Sequence, residues 1–131
     1  METKTKNLSA GLEDYIEAIY VSHINNEVLK GAELARKLNI SRASVSEALS
    51  KLVNKGFIDY SGHEAIKLTE LGLKQAQEVY NKHNILKNFF IDILEIPTEE
   101  AEENACKIEH IISKNILDKM SEYTKNHISL K

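Results

Sequence analysis

Apolar residues recur at steps of three and four through most of the chain, the period of helices with one buried face. Leu8, Leu12, Tyr15, Ile16, Ile19 and Tyr20 form the first stripe and predict a helix from about Ala10 to Asn25. Ser9 stands where an N-cap is needed, and Glu13 and Asp14 sit near the positive end of the helix dipole. A short helix is expected over Gly31–Leu38, a tight turn at Asn39-Ile40-Ser41, and a second helix over Arg42–Asn54 with Ser41 as its N-cap. Leu34, Ala35, Leu38, Ile40, Val45, Leu49 and Leu52 then share one core, and the small Ala35 lets the two helices cross closely. Lys55-Gly56 is a stop signal. The period changes after it: Phe57–Tyr60 and Ala65–Leu68 read as short strands joined by Ser61-Gly62-His63-Glu64.

The helical period returns after Thr69, an N-cap candidate. Leu71, Ala76, Val79, Tyr80, Leu86, Phe89, Phe90 and Ile93 predict a long helix to about Leu94. Pro97 breaks the chain and Thr98 is positioned to cap a further helix, with Glu99 and Glu100 in its first turn and Ala101, Ala105, Ile108 and Ile112 as its apolar stripe. A last helix over about Asn115–Tyr123 is expected to bury Ile116, Leu117 and Met120, with a polar, frayed tail after Lys125. The order helix, helix-turn-helix, hairpin describes a winged helix, so the fold class is mainly α: a winged helix-turn-helix over residues 1–70, then a helical dimerisation domain over residues 71–131. A long helix after a compact unit supplies a second core and a dimer surface, so a homodimer is expected.

In a helix-turn-helix the second helix enters the major groove. With Val45, Ala48, Leu49 and Leu52 turned inward, the opposite face of that helix and its cap carry Ser41, Arg42, Ala43, Ser44, Ser46, Glu47, Ser50 and Lys51. Small and polar side chains near a helix N-terminus approach base edges and phosphates without clashing, and His63 at the hairpin tip is a candidate phosphate contact.

Composition narrows the setting. A chain of 131 residues holds one or two small domains. The net charge of −3 excludes polyanion binding by overall charge, yet the stretch from Val28 to Lys67 carries net +3, a local basic bias where the winged helix lies. No apolar run reaches the roughly 18 residues of a membrane span, and Met1–Asn7 lacks the apolar core of a signal peptide. A single cysteine forms no internal disulfide, which fits a reducing cytoplasm.

The densest chemistry is Cys106-Lys107-Ile108-Glu109-His110. A thiol, a carboxylate and an imidazole at i, i+3 and i+4 share one helix face, and together they suit a first-row transition metal. Glu102 lies one turn earlier on that face. His83, on the apolar stripe between Val79 and Leu86, reads by itself as a hydrogen-bonded core histidine, and Asp14 with Glu17 as a solvated helix edge. Cys106 and His110 would also be close enough for a nucleophile and its base, but no Gly-rich loop or oxyanion site accompanies them. A structural zinc site fits poorly, since one thiolate with several carboxylates departs from the usual Cys/His sets.

Taken in order, these features resemble the diphtheria toxin repressor family of metal-dependent transcriptional regulators, including its manganese-sensing branch. The matching stretches are Glu13-Asp14-Tyr15-Ile16-Glu17-Ala18-Ile19-Tyr20, Ser41–Leu52, Tyr80–Phe90 and Cys106–His110, within a resemblance spanning roughly residues 8–123. The resemblance implies a cytoplasmic regulator, most simply a repressor, that binds double-stranded operator DNA as a homodimer. It assigns the metal ligands Asp14, Glu17, His83, Cys106, Glu109 and His110, with Glu102 as an outer candidate. The implied ion is a divalent transition metal, Fe(II) or Mn(II), with Co(II), Ni(II) or Zn(II) as substitutes in vitro. A non-metal signal acting on the same winged helix is the competing reading.

Three departures qualify the resemblance. Manganese-sensing members usually carry a carboxylate where this chain has Cys106, and iron-sensing members a methionine where it has Asp14. Lys87 stands where the iron branch places a second-site carboxylate, so a copy of that second site is not expected. The resemblance is to a short form, without the SH3-like domain of longer members.

Overall fold

A computed structural model describes residues 9–61 and 65–129. The chain divides into two compact units, Met1–Gln77 and Glu78–Lys131.

In the first unit, α1 (Ala10–Ile24) starts as its sequence requires, with the Ser9 hydroxyl accepting from the Leu12 amide at 3.2 Å. Leu8, expected on its apolar stripe, lies outside the described residues. Asn25 and left-handed Asn26 (φ 58°) end the helix. In α2 (Gly31–Leu38), the Glu33 carboxylate accepts from the Lys30 amide at 2.9 Å, and left-handed Asn39 closes the helix. Asparagine tolerates that conformation because its short polar side chain bonds locally. Ser41 then caps α3 (Arg42–Asn54) by accepting from the Ser44 amide at 3.0 Å. Val45, Leu49 and Leu52 are buried with Ile16, Ile19 and Leu34 in one core. Each such side chain contributes about 1.5–3 kcal/mol when fully buried. Ile40, expected in this core, is instead 37% exposed, because the turn that directs Ser41 to its cap carries Ile40 outward.

The wing strands are shorter than the sequence pattern suggests. β1 (Ile58–Asp59) pairs antiparallel with β2 (Lys67–Leu68), with Ile58 opposite Leu68 and Asp59 opposite Lys67. The flanking backbone groups are used elsewhere. The Phe57 amide donates to Leu52 O at 3.0 Å, the Phe57 carbonyl accepts from Thr69 N at 3.0 Å, and the Ile66 amide donates to Leu29 O at 2.8 Å. Gly62, His63 and Glu64, the expected hairpin tip, lie outside the described residues.

Thr69 does cap the long helix α4 (Glu70–Asp92): its hydroxyl donates to Gly56 O at 2.6 Å and accepts from the Gly72 amide at 3.0 Å. Gly72 packs so tightly on the α3–β1 corner that a Cβ there would stand 1.8 Å from Phe57 O. Leu71, expected on the buried side of α4, is 46% exposed because the register set by the Thr69 cap presents Gly72 to the corner.

The second unit holds the rest of α4, α5 (Thr98–Ile108) and α6 (Lys114–Ser129). Its buried apolar side chains are Val79, Leu86, Ala101, Ala105 and Leu117, and the Phe89 ring packs near Tyr123, centroids 6.5 Å apart. Three expectations need correcting. Pro97, not Thr98, is the N-cap of α5: its extended backbone (φ −57°, ψ 145°) and the bond from Ala101 N to Pro97 O at 2.9 Å place the cap one residue earlier. α6 begins at Lys114 because Ser113 accepts from the Ile116 amide, and it continues to Ser129 rather than fraying after Lys125. No glycine or proline interrupts it, and buried Thr124, bonded to Met120 O at 2.8 Å, anchors its last turns. Ile116 is 53% exposed instead of buried, since Leu117 takes the inward position.

Candidate metal centre and DNA-facing helix

Helix α4 presents His83 and, one turn later, Lys87 on one face; α5 presents Glu102 and, two turns later, Glu109. In the second unit these four side chains meet. His83 Nδ1 lies 2.8 Å from Glu109 Oε1, and His83 Nε2 lies 2.6 Å from Glu102 Oε1. Lys87 Nζ donates to the second oxygen of Glu102 at 3.0 Å. Each ring nitrogen thus faces a carboxylate oxygen, and a ring N–H on either side has an acceptor in place. Burial acts to raise the Glu102 carboxyl, but hydrogen bonds from Lys87 and His83 outweigh it and hold the group below the usual carboxylate range.

Glu109 is the least exposed of these groups, at 1%. It is the C-cap of α5, just past Ile108, and keeps a helical backbone (φ −57°, ψ −26°). The expected helical face for Cys106, Glu109 and His110 is therefore only partly realised: α5 ends at Ile108 and His110 lies in the following turn. The negative end of a helix dipole disfavours an anion at this position. Glu109 Oε2 is buried with no hydrogen-bond partner among the described residues, and His110 Nε2 is 3.6 Å away. A buried carboxylate oxygen without a donor costs several kcal/mol, on the order of an incompletely paired buried ion. A cation beside it removes that cost. Two imidazoles and a carboxylate are a donor set that suits first-row divalent metals, so the residues fit a metal ion.

Of the other ligand candidates, Cys106 lies in the last turn of α5 and is exposed. Asp14 and Glu17 are half-buried, three residues apart on α1 of the first unit. Sequence reasoning missed the partnership of Lys87 with Glu102. Its signal was an opposite-charge pair on two adjoining stripes, which pattern alone could not bring together.

On the first unit, Ser41, Arg42, Ala43, Ser44, Ser46, Glu47, Ser50 and Lys51 are all exposed, opposite the buried Val45, Ala48, Leu49 and Leu52. Ser41 and Ser44 are tied to each other, hydroxyl to hydroxyl, at 2.9 Å. An open cleft at the starts of α2 and α3 is lined by Lys30, Arg42, Ser46 and Tyr60, a polar and basic rim. Burial first, and then the Glu47 carboxylate, hold the Tyr15 hydroxyl above its ordinary value, which places Glu47 within electrostatic reach of α1. His63 lies outside the described residues. No described helix is long and apolar enough to cross a membrane.

Residues 7–66 match the model of the iron dependent repressor N-terminal DNA binding domain, and residues 69–127 match that of the iron dependent repressor metal binding and dimerisation domain. An uncharacterized HTH-type transcriptional regulator of Methanocaldococcus jannaschii is 37% identical over 114 residues, 86% of this chain and 91% of the relative. The transcriptional regulator MntR of Salmonella typhimurium is 31% identical over 116 residues, 88% of this chain and 73% of the relative. Among solved structures, the manganese regulator SloR superposes with a TM-score of 0.77 at 25% identity, over 87% of this chain and 53% of that one. A manganese-dependent transcriptional repressor in complex with manganese shares the fold at a TM-score of 0.80 and 23% identity, over 87% and 52%. The chain thus spans about half the length of these solved structures. Matched by the family's two models in succession and by relatives above 30% identity along most of its length, the chain belongs to the iron-dependent repressor family, whose members are metal-dependent transcriptional regulators and not enzymes.

Proposed function

We propose that this protein is a cytoplasmic repressor that binds operator DNA as a homodimer when Fe(II) or Mn(II) is bound. The observation that carries the metal reading is the buried Glu109 carboxylate, with one oxygen on His83 and the other, near His110, without a hydrogen-bond donor, in the segment matching the metal binding and dimerisation domain. The iron-dependent repressor IdeR of Mycobacterium tuberculosis and the manganese regulator SloR, both similar to this chain, support these two ions.

His83, Cys106, Glu109 and His110 are the proposed ligands of the second unit, and Asp14 and Glu17 those of α1. A bound divalent cation would supply positive charge beside the Glu109 oxygen that has no hydrogen-bond donor. Cys106 would bind as thiolate and, being softer than a carboxylate, would favour Fe(II) and later metals relative to Mn(II). Glu109 and the α1 carboxylates keep hard oxygen donors in the set, so Mn(II) remains a competent ion. In the DNA complex Arg42 and Lys51 would neutralise phosphates, and Ser46 and Glu47 would face base edges, with Glu47 able to accept from a cytosine amine. The homodimer would use α4, α5 and α6, on which Leu94, Ile116, Tyr123 and Ile128 leave apolar surface exposed at or near the helix ends.

The test is an anaerobic DNA-binding titration with Fe(II), Mn(II), Co(II) and Zn(II) and a chelator control, paired with Co(II) absorption. Wild type should show a thiolate charge-transfer band that is missing in Cys106→Ala. Identical spectra, with DNA binding indifferent to metal, would overturn the reading.

A further inference from the structure

Glu102 and Glu109 bracket one imidazole. They are seven residues apart, Glu102 on α5 and Glu109 at its C-cap, and each places an oxygen within hydrogen-bond distance of a different nitrogen of His83, Glu109 at Nδ1 and Glu102 at Nε2. A symmetric bracket would leave the ring equally ready to offer either nitrogen to a cation. Lys87 breaks the symmetry. Its ammonium lies 3.0 Å from Glu102 Oε2, so both oxygens of Glu102 are engaged and its charge is already balanced. Glu109 has the opposite condition, with one oxygen on His83 and the other buried without a hydrogen-bond partner. A divalent cation gains most on the Glu109 side. On the Glu102 side it would meet a fixed positive charge and a carboxylate with no unused oxygen.

Resting on the metal reading above, we propose that Lys87 and Glu102 are a positioning relay, not ligands: they hold the His83 Nε2 hydrogen, present Nδ1 to a single divalent ion, and keep a second ion out. A histidine ligand commonly donates its other ring N–H to a carboxylate, which fixes the tautomer and the ring orientation. Here that carboxylate is itself held in place by an ammonium one helical turn from the histidine it serves. Lys87 therefore acts through Glu102, and its removal weakens the ion without touching it. The same ammonium takes the place that a second cation beside Glu102 would need.

The experiment uses the full chain loaded with Zn(II), which is diamagnetic. Ions bound per chain and affinity are measured by competition against a chelating dye, and the nitrogen bonded to the metal by long-range ¹H–¹⁵N correlation of the histidine rings. Wild type should bind one ion at this site, with His83 protonated at Nε2 and metal-shifted at Nδ1. Lys87→Met should bind about 10-fold more weakly and show a mixed His83 pattern. Lys87→Arg should restore the wild-type pattern, and Lys87→Glu should admit a second ion. Because Lys87 is partly exposed, thermal melts of the metal-free variants should match wild type. Wild-type affinity and an unchanged His83 pattern in Lys87→Met would overturn the relay, as would coordination through Nε2 or a second ion beside Glu102 in wild type. If wild type shows the Co(II)–thiolate band while these outcomes fail, only the relay falls. If wild type takes up no ion, the metal reading falls and the relay with it.

Discussion

Glu109 Oε1 lies 2.8 Å from His83 Nδ1, while its second oxygen stops 3.6 Å short of His110 Nε2, too far for a hydrogen bond. The buried Glu109 carboxylate thus sits at the C-terminal end of α5 with one oxygen lacking a hydrogen-bond donor among the described residues.

Glu109→Gln removes that charge while keeping shape and an acceptor for His83. We expect the metal-free variant to be as stable as wild type or more so by up to about 1 kcal/mol, since a buried anion is replaced by a neutral amide. Its affinity for Mn(II) or Co(II) should fall by at least about 10-fold, the scale of losing a supporting group and a minimum for a direct ligand. Urea denaturation and metal titration on the same samples check both. A large loss of metal-free stability together with unchanged metal affinity would mean that Glu109 is purely structural.

Gly72→Ala should be strongly destabilising, because the added carbon meets Phe57 O at 1.8 Å and backbone cannot rotate away as a side chain would. The expected cost is at least about 2 kcal/mol, within or above the usual range for overpacking. Equilibrium unfolding followed by circular dichroism reads it, and a cost below about 0.5 kcal/mol would show that the α3–β1 corner yields easily.

Tyr15 links stability to high pH. Its hydroxyl is held above its ordinary value, by burial first and Glu47 second, so the folded state retains a proton that the unfolded chain releases near pH 10. This contribution is complete below the unfolded value and is lost as pH rises through the folded one. Glu47→Gln should move the Tyr15 transition back toward the ordinary value. The difference in ultraviolet pH titration between each protein and its Tyr15→Phe counterpart isolates this residue from the four other tyrosines. Coincident difference curves would remove Glu47 as a cause.

Lys51→Ala should weaken binding to operator and random DNA alike and reduce the slope of log affinity against log salt by about 1, the mark of one lost phosphate contact. Glu47→Ala should lower discrimination between operator and random DNA more than it lowers affinity for random DNA. Fluorescence anisotropy over a salt series measures both. Equal losses on the two DNAs for Glu47→Ala would exclude base reading.

Most elements were legible because each carries its own local signal. Ser9, Ser41 and Thr69 have short-range capping chemistry, and Val45, Leu49 and Leu52 repeat at a period that one helix imposes. The errors lie where the deciding partner is distant in sequence. The wing strands shortened because Leu29 and Thr69 claimed backbone groups that a hairpin would otherwise use, and neither residue belongs to the hairpin pattern. Pro97 displaced Thr98 as cap because its fixed φ suits the entry, a choice between two local signals that residue preference alone does not resolve. At the site, His83, Cys106, Glu109 and His110 could be nominated from their types and spacing. The engagement of Glu102 by Lys87 depends on how α4 lies against α5, and that register is written in packing, not in either stripe.

The bond from the Ile66 amide to Leu29 O has a kinetic consequence. It joins the connector before α2 to the returning side of the wing, so the chain between residues 29 and 66 forms a loop closed at its base. Ile66 lies one residue outside the two-residue strand β2, a position where solvent exchange would ordinarily be fast. Yet its hydrogen is released only when that closure opens, and Ile66 itself is 7% exposed among the core side chains. In deuterated water, Ile66 should therefore retain its amide hydrogen about as long as the interior of α3, and its exchange becomes a clock for opening of the whole first unit.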